Sequence, residues 1–414
     1  MKPILISLSP NTDKKDAFRA FKILIKPWTW INGDSRNIFE EKLREYFNVY
    51  DAYGIVSARW GIYLILKSLN LPEDSEVLIQ AFTCVSVPGP VLWAGLKPVY
   101  VDILENELTM DPDDLARKIT DKSKVLIIQH TFGCPARLQE LISVAKKHDL
   151  IVIEDSAHTI GAKYGNKLLG TFGDASVLSF GRDKAISGVF GGAILVSNPE
   201  RLINLKIEYE KLKNAGKIFV FQQLLHPILF ELIVKPFYFF FSIGKIKLVC
   251  LQNLKILSKA LSRRERNGGE PNFPISKLPN ALASLAFSQF KEIEKFNKKR
   301  KEIATIYSQN LKDTDLGLPK CPEGSEPAFL RYSIQTPKAS IIKKEAKKEK
   351  ILLGDWYEVI APKDTDLKAI NYVKGSCPKA EEAALKIINL PTYPKMEIKD
   401  AERIVKFIKE KIND

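Results

Sequence analysis

Short apolar runs alternate with helical segments through the first 200 residues, and this alternation restricts the possible folds more than any other feature. The runs typical of buried strands are 53–56, 125–129, 150–153 and 193–196, and the segments with helical spacing of apolar residues are 37–47, 62–69 and 138–148. Strands separated by helices pair in parallel, because each helix crosses over a face of the sheet. The pattern therefore predicts an α/β domain whose mainly parallel sheet is covered on both faces.

Acidic residues end one of these strands, and a lysine follows in a glycine-containing loop. The run 150–153 leads into Glu154-Asp155, where strands of such a sheet open into a ligand-binding crevice. Pyridoxal phosphate (PLP) chemistry needs an anion beside its pyridine nitrogen and a lysine amine that condenses with its aldehyde. Asp155 and Lys184 can supply these two groups, and they are the predicted ring-nitrogen partner and catalytic lysine.

Three further positions can complete such a site. Ser179 can hold the cofactor phosphate, His158 can contact the ring or its phenolic oxygen, and the turn at Ala58-Arg59 can offer backbone N–H groups at a helix start. Each residue also has an ordinary structural interpretation. A strand-terminal Asp often caps a helix or forms an ion pair, a loop lysine is usually solvated, and an isolated histidine is usually packed.

The stretch 152–192 resembles the DegT/DnrJ/EryC1/StrS family of sugar aminotransferases. The resemblance rests on Glu154-Asp155-Ser156-Ala157-His158, on Gly170-Thr171-Phe172-Gly173-Asp174 with Ser179-Phe180, and on Lys184 followed by Gly191-Gly192. It extends to Ala81-Phe82-Thr83, to Leu278-Pro279-Asn280 with Gln289, and to Ser376-Cys377-Pro378 before Leu390-Pro391. Only about sixty residues in the middle of the chain lack a counterpart.

The resemblance implies a fold and an activity. The implied fold is fold-type I of the PLP-dependent transferases, with a seven-stranded, mainly parallel sheet between helices and a smaller C-terminal α/β domain. The implied reaction moves an amino group from L-glutamate to a keto nucleotide-sugar in surface polysaccharide or glycan biosynthesis, in a homodimer. The expected parts are a PLP-binding domain at 1–205, a hydrophobic basic insertion at 206–270 and a small domain at 271–414.

Three positions depart from the family pattern. The phosphate turn usually reads Ser-Gly-Thr, whereas this chain has Ala58-Arg59, so Arg59 either contacts the phosphate itself or covers a dimer surface. Cys84 stands where an aromatic residue usually stacks on the pyridine ring. The Asn of a partner-subunit loop is absent by direct spacing at Ile275-Ser276-Lys277, and Asn272 can substitute only if the loop shifts.

Composition narrows the remaining choices. With 414 residues and 45% hydrophobic content, the chain is long enough for two domains. Residues 201–266 hold thirteen Lys/Arg against four Glu, which is +9 of the net charge of +14, and no nucleic-acid-binding motif accompanies them. Neither a zinc-ligand spacing nor a signal-peptide pattern is present, so five reduced thiols, no metal site and a cytoplasmic location are expected. The cysteines are Cys84, Cys134, Cys250, Cys321 and Cys377.

The insertion carries the main open question. Its uncharged runs, 218–230 and 236–244, are shorter than the roughly 18–20 residues that cross a bilayer, and Pro227 and Pro236 should divide it into short helices. Flanking lysines and arginines favour contact between the stretch 214–262 and an anionic membrane surface. The alternatives are a helical pair buried against the body or against a dimer partner, and a true membrane span.

Two other functions remain open from the sequence. A PLP-dependent sugar dehydratase shares the cofactor, although relatives with that chemistry replace the lysine by histidine, which Lys184 argues against. A catalytically altered protein that acts as a membrane-associated scaffold or sensor is the second, and Cys84 and the altered phosphate turn favour it.

Overall fold

A twisted seven-stranded sheet forms the centre of the molecule. The computed structural model describes residues 3–7, 9–238 and 243–413. The strands of the sheet are β1 Asp51–Ile55, β2 Glu76–Gln80, β3 Lys97–Val101, β4 Ser123–Gln129, β5 Ile151–Asp155, β6 Ala175–Ser179 and β7 Gly192–Val196. Their spatial order is β1-β7-β6-β5-β4-β2-β3, and β7 alone among these seven runs against the others. The prediction of a mainly parallel sheet is confirmed.

Fifteen helices surround this sheet and a second, smaller set of strands in the described part of the chain. They are α1 Lys14–Leu24, α2 Ser35–Phe47, α3 Ala58–Ser68, α4 Pro88–Trp93, α5 Pro112–Lys118, α6 Leu138–Lys147, α7 Leu205–Glu210, α8 Lys217–Leu229, α9 Ile243–Asn253, α10 Arg263–Arg266, α11 Asn280–Phe290, α12 Ile293–Leu311, α13 Ala339–Lys348, α14 Pro378–Lys386 and α15 Ile398–Asn413. Short 3₁₀ turns lie at Pro27–Thr29, Thr131–Gly133, Glu200–Leu202 and Lys235–Phe237, and Phe230–Val234 is a π-helical turn.

Alternate side chains of each strand point to opposite faces of the sheet, and each face is covered by a layer of helices. Val125 and Ile127 of β4 face a core that includes Ile62 and Ile65 of α3. The intervening residues of the same strand face a second core, together with the apolar residues of α5 and α6. Since both faces are covered, the inner residues of β2 and β4 are apolar, as in other doubly covered parallel sheets. Glu154 of β5 and Ser176 of β6 are buried polar residues that form hydrogen bonds.

The C-terminal half forms its own small core. Strands β8 Arg331–Gln335 and β9 Ile387–Pro391 pair antiparallel, and α12, α13 and α15 pack around them. The chain start joins this core, because the strand Ile4–Leu5 pairs with Ile351–Leu352. Tyr357 and Ile360, although they belong to the C-terminal half, pack into the core of the central sheet. The loop that contains them therefore contacts the large sheet. The division at residues 205 and 270 stays a prediction.

The helical segment after Leu278-Pro279 is divided into α11 and α12 by Lys291-Glu292, and α11 is mostly buried.

One expectation from the sequence is wrong. The five thiols were expected to be reduced, whereas Cys134 and Cys321 form a disulfide across a sequence separation of 187 residues. The sequence could not predict this pair, because the two cysteines are far apart along the chain and only the fold brings their Cα atoms to 5.7 Å.

The insertion is more continuous than the prolines suggested. Lys217–Phe237 runs as one helical stretch of 21 residues with Pro227 inside it, so the expected break at that residue does not occur. By length and apolar composition this stretch could cross a membrane, and 39% of its most apolar window is buried inside the protein. Residues 239–242 of the second apolar run lie outside the described residues.

One face of this stretch packs on the body and the other faces outward. Val220 and Leu224 are fully buried in a core shared with α1 and α11, whereas Ile218 is 87% exposed and Leu232 is 64% exposed. The stretch is therefore a surface helix of this chain with an apolar outer side.

A pair of substitutions measures how firmly the helix is packed. Leu224→Ala should lower the free energy of unfolding by about 2–5 kcal/mol, because it leaves a cavity in a buried core. Ile218→Ala, on the exposed side of the same helix, should change it by less than about 0.5 kcal/mol. Urea unfolding followed by circular dichroism measures both. Equal effects of the two substitutions would contradict this packing.

Candidate active site

A cavity of about 440 Å³ opens at the carboxyl ends of the parallel strands. It lies where β4, β5 and β6 end and where α3 begins, as expected for a ligand site in an open α/β sheet. The residues predicted from the sequence line this one cavity, although they are up to 126 positions apart along the chain, and they are Ala58, Arg59, Asp155, His158, Ser179 and Lys184. The fold thus brings the whole predicted set together.

Lys184 presents its amine to a histidine inside the cavity. Its Nζ lies 2.8 Å from Nε2 of His158. Burial lowers the pKa of Lys184 to about 8, the negative charge of Asp155 opposes this change, and the positive charge of Arg331 adds to it. At pH 7 about a tenth of such an amine is uncharged, against less than about a thousandth for an ordinary lysine, and the uncharged amine is the nucleophile.

The hydrogen bonds of His158 determine its tautomer. The backbone N–H of Phe132 donates to Nδ1 at 3.2 Å, so the ring proton of neutral His158 is on Nε2. Nε2 faces both Lys184 and the hydroxyl of Tyr357, which is 3.2 Å away. Burial, with the charges of Lys184 and Arg331, places the pKa of His158 well below its ordinary value. A neutral His158 that donates from Nε2 therefore favours an uncharged lysine amine as its acceptor.

Asp155 lies at the end of β5 beside the lysine. Burial raises the pKa of its carboxyl group, and the positive charge of Lys184 together with the N–H of Ala157, which donates to Oδ1 at 3.1 Å, opposes that rise. The predicted role of Asp155 needs the ionised carboxylate, which burial alone disfavours and which a protonated ring nitrogen, like the Lys184 ammonium, would stabilise. The roles of Asp155 and Lys184 stay predictions.

Glu154, the neighbouring acid, has a structural role that the sequence did not reveal. Its carboxylate is fully buried, accepts from Nε2 of His130 at 2.9 Å and from the N–H groups of Gly170, Phe172 and Gly173. Burial opposes ionisation of Glu154, but these hydrogen bonds keep its pKa below the ordinary value. The Gly-Thr-Phe-Gly motif is therefore held against the end of β5 by a buried carboxylate.

One part of the cavity lining suits a phosphate group. Backbone N–H groups at the start of α3 and the hydroxyls of Ser57 and Ser179 border it. The Ser57 hydroxyl is buried without a hydrogen-bond partner, which is the kind of orphaned group that a bound phosphate would satisfy. At Gly192, a Cβ atom would come within 2.7 Å of the Ala58 nitrogen, so only glycine leaves this helix start open. Ser57 was missed because serine is common at helix starts.

Arg59 lies in the cavity wall but is already paired. Its guanidinium forms a buried ion pair with Glu265 and donates to the carbonyl of Ala260 at 2.8 Å. It is therefore buried within this chain. A phosphate contact by Arg59 stays a prediction, and such a phosphate would share the guanidinium with Glu265.

The C-terminal half supplies three cavity residues that sequence reasoning did not select. Arg331 begins β8, and its guanidinium stacks on the indole of Trp356 at 3.6 Å from the ring centroid. Tyr357 follows and contacts His158. These aromatic rings line the same cavity as Cys84, which itself has no ring. In the sequence, Arg331, Trp356 and Tyr357 look like ordinary strand and loop residues. No motif or spacing distinguishes them as cavity residues.

The loop that carries Lys184 is anchored from behind. Fully buried Arg300 donates to the carbonyl of Ala185 at 2.7 Å, and the amide of Asn11 donates to the carbonyl of Lys184. Gln289, part of the motif set, accepts from the N–H of Ser187 at 2.8 Å. These contacts explain why the lysine can project from a loop and still be held in place.

The residues considered for the partner loop do not reach the cavity. Asn272 is exposed, and Lys277 lies over the ring of Tyr209 at a different pocket. A contact between these residues and a partner subunit stays a prediction.

Comparison with known proteins gives a consistent match. The model of the DegT/DnrJ/EryC1/StrS aminotransferase family matches residues 11–226 and 269–409. The chain is 25% identical to the pleiotropic regulatory protein of Geobacillus stearothermophilus over 96% of this chain and 94% of that protein. It is 24% identical to the UDP-N-acetyl-3-dehydro-alpha-D-glucosamine 3-aminotransferase of Acidithiobacillus ferrooxidans, over 93% and 90%. The structure of Helicobacter pylori PseC, an aminotransferase of pseudoaminic acid biosynthesis, superposes with a TM-score of 0.74 at 20% identity, covering 99% of each chain.

The lowered pKa of Lys184 has a measurable consequence. The rate at which PLP reacts with the cofactor-free protein should rise about tenfold per pH unit below pH 8 and level off above about pH 9, because only the uncharged amine reacts. Asp155→Asn should move the plateau to lower pH, since the charge of Asp155 raises the pKa of Lys184. Stopped-flow absorbance measures both profiles. A rate that still rises steeply at pH 10 would contradict the result expected for the wild type.

Proposed function

Since this chain belongs to the DegT/DnrJ/EryC1/StrS family of PLP-dependent sugar aminotransferases, we propose that it transfers an amino group from L-glutamate to a ketone on a nucleotide-activated sugar. The relative whose name refers to a 3-dehydro UDP-sugar supports an acceptor of this class. The product would enter a surface polysaccharide or another glycan. The enzyme would work in the cytoplasm, where nucleotide sugars and glutamate are both available.

The single observation that carries this proposal is the cavity that joins Lys184, His158 and Asp155 with a helix start and an orphaned Ser57 hydroxyl. These groups fit PLP from one end to the other. Lys184 would hold the aldehyde, Asp155 the ring nitrogen, and Ser57, Ser179 and the N–H groups of the Ala58 turn the phosphate. When bound, PLP supplies an electron sink for the bond that breaks at the substrate Cα.

The protein's own residues would handle the proton. Lys184, once released from the cofactor, lies in the cavity with a lowered pKa and can take the proton from the Cα atom of the donor. His158 donates from Nε2 toward Lys184 and keeps that amine uncharged. Tyr357 contacts the same nitrogen and limits the rotation of the ring. Aromatic residues around the cavity exclude water from the exchange.

The test is a pair of half-reactions. With PLP and L-glutamate the protein should form one 2-oxoglutarate per site, and a panel of 3-keto and 4-keto nucleotide sugars should then gain an amino group, read by mass. Lys184→Ala should abolish both steps, by at least about 10³-fold, because the nucleophile and proton carrier is lost. Lys363→Ala, which removes an exposed lysine at the cavity rim, is the matched control and should retain activity.

Borohydride treatment of the PLP-loaded protein provides an independent readout. The label should map to the peptide that contains Lys184. A label on another lysine, or an active Lys184→Ala protein, would exclude the proposed role of this residue. A protein that takes up no PLP would favour the scaffold interpretation.

We further propose that the outer side of the insertion rests on the cytoplasmic surface of an anionic membrane. Exposed apolar residues follow the stretch from α8 to α9, and they include Ile218, Leu232 and Ile246. Lysines at 217, 245 and 247 flank them, and such a mixture suits an interfacial helix. A homodimer is the competing use of the same apolar side, since relatives with this fold are expected to pair.

One triple variant separates these uses. Ile218→Ser, Leu232→Ser and Ile246→Ser together should reduce flotation with vesicles that contain anionic lipid, because they remove exposed apolar contact area. The control triple, Ile341→Ser, Val373→Ser and Leu385→Ser, removes similarly exposed residues elsewhere and should float like the wild type. If the wild type does not float and the first triple instead converts a dimer into a monomer in sedimentation, the apolar side is a subunit interface.

A further inference from the structure

One guanidinium in the cavity makes no ion pair, although the more distant carboxylates of Asp183 and Asp355 oppose the lowering of its pKa by burial. Arg331 is only 6% exposed and borders the cavity, and within residues 3–7, 9–238 and 243–413 neither a carboxylate nor another hydrogen-bond acceptor pairs with its guanidinium. Its contact is the face of Trp356, which leaves the planar edge of the guanidinium free for an oxygen ligand. A buried charge without a partner is costly, so such a group in a cavity indicates a ligand of opposite charge.

The other arginines of the cavity already donate to acceptors within this chain, although Nε of Arg182 is buried without a partner. Arg59 is held by Glu265, and Arg182 donates to the carbonyl of Ser258 at 2.7 Å and to the side chain of Gln223. Asp183, the closest acid in sequence to Arg182, accepts instead from the N–H of Ser9 at 2.9 Å. Arg331 is thus the guanidinium that remains available in the described cavity.

The location of Arg331 indicates which anion it would bind. Arg331 lines the same cavity as Lys184 and His158, and its positive charge lowers the pKa of both. The suggested phosphate end is built by Ser57 and Ser179 at the start of α3 and is already supplied with donors. In an α-amino acid, the carboxylate carbon and the amine nitrogen are bonded to one carbon and are only about 2.5 Å apart. An amino donor whose nitrogen replaces that of Lys184 must place its carboxylate close by.

We infer that Arg331, stacked on Trp356, binds the α-carboxylate of the amino donor and orients the donor Cα toward Lys184. This assignment rests on the proposed aminotransferase function. The planar guanidinium can bind both carboxylate oxygens, and Trp356 holds the guanidinium in one plane. Donors without an α-carboxylate would therefore be used poorly. A carboxylate on the sugar acceptor is the other possible source of the same contact.

The two half-reactions distinguish these sources. In Arg331→Gln, kcat/KM for the L-glutamate half-reaction should fall about 10- to 100-fold, mainly through KM, which is the loss expected when one charge-assisted contact is removed. The acceptor half-reaction, started from protein already in the amino form, should stay within about twofold. Arg331→Lys should recover part of the glutamate rate. Lys122→Gln, which removes the same charge from an exposed lysine before β4 and outside the cavity lining, should leave both half-reactions within about twofold.

Several outcomes would overturn the assignment. An unchanged glutamate half-reaction excludes Arg331 as the donor subsite, and a loss confined to the acceptor half-reaction assigns its contact to the sugar. Equal losses in both, with a lowered melting temperature and no recovery in Arg331→Lys, indicate a structural role. The wild type is measured first in both half-reactions. If it performs neither, the aminotransferase proposal fails, and the Arg331 assignment fails with it; if it performs both, the variants test Arg331 alone.

Discussion

The desolvation of a single lysine amine is the constraint around which this protein is arranged. Lys184 lies in the cavity beside His158, and the backbone N–H of Phe132 keeps the proton of that ring on the nitrogen that faces the lysine. An ammonium group is unfavourable there because it would be buried, would face a hydrogen-bond donor and would lie near Arg331. Asp155 provides the nearby opposing charge, so the amine titrates in the physiological range without losing its charge completely.

The insertion takes part in this arrangement although the family model does not match residues 227–268. Glu265 and Ala260 hold Arg59 in the cavity wall, and Ser258 accepts from Arg182. The inserted segment therefore supplies the acid that pairs with Arg59. The same segment carries exposed apolar residues, among them Ile218 and Leu232.

Much of the candidate site was predictable because its residues follow strands. Asp155, Ser179 and the turn at Ala58 come directly after apolar runs, and parallel strands place their carboxyl ends at one edge of the sheet. Lys184 and His158 were identified by motif spacing. Ser57, Arg331, Trp356 and Tyr357 were not, since a serine before a helix, an arginine at a strand start and an aromatic pair in a loop have many ordinary uses. The pairing of Cys134 with Cys321 was equally hidden by their separation.

The amino-acid sequence by itself determined the sheet, the helices that cover it and the chemistry available at its edge, because periodicity and local spacing are short-range properties. Only the tertiary structure decided which charges are paired. Arg59 and Arg331 are both arginines near apolar residues in the sequence, yet the fold gives Glu265 to the first and leaves the second facing the cavity. Whether a charge is satisfied depends on contacts between residues distant along the chain. Those contacts exist only after the two halves and the insertion have packed together.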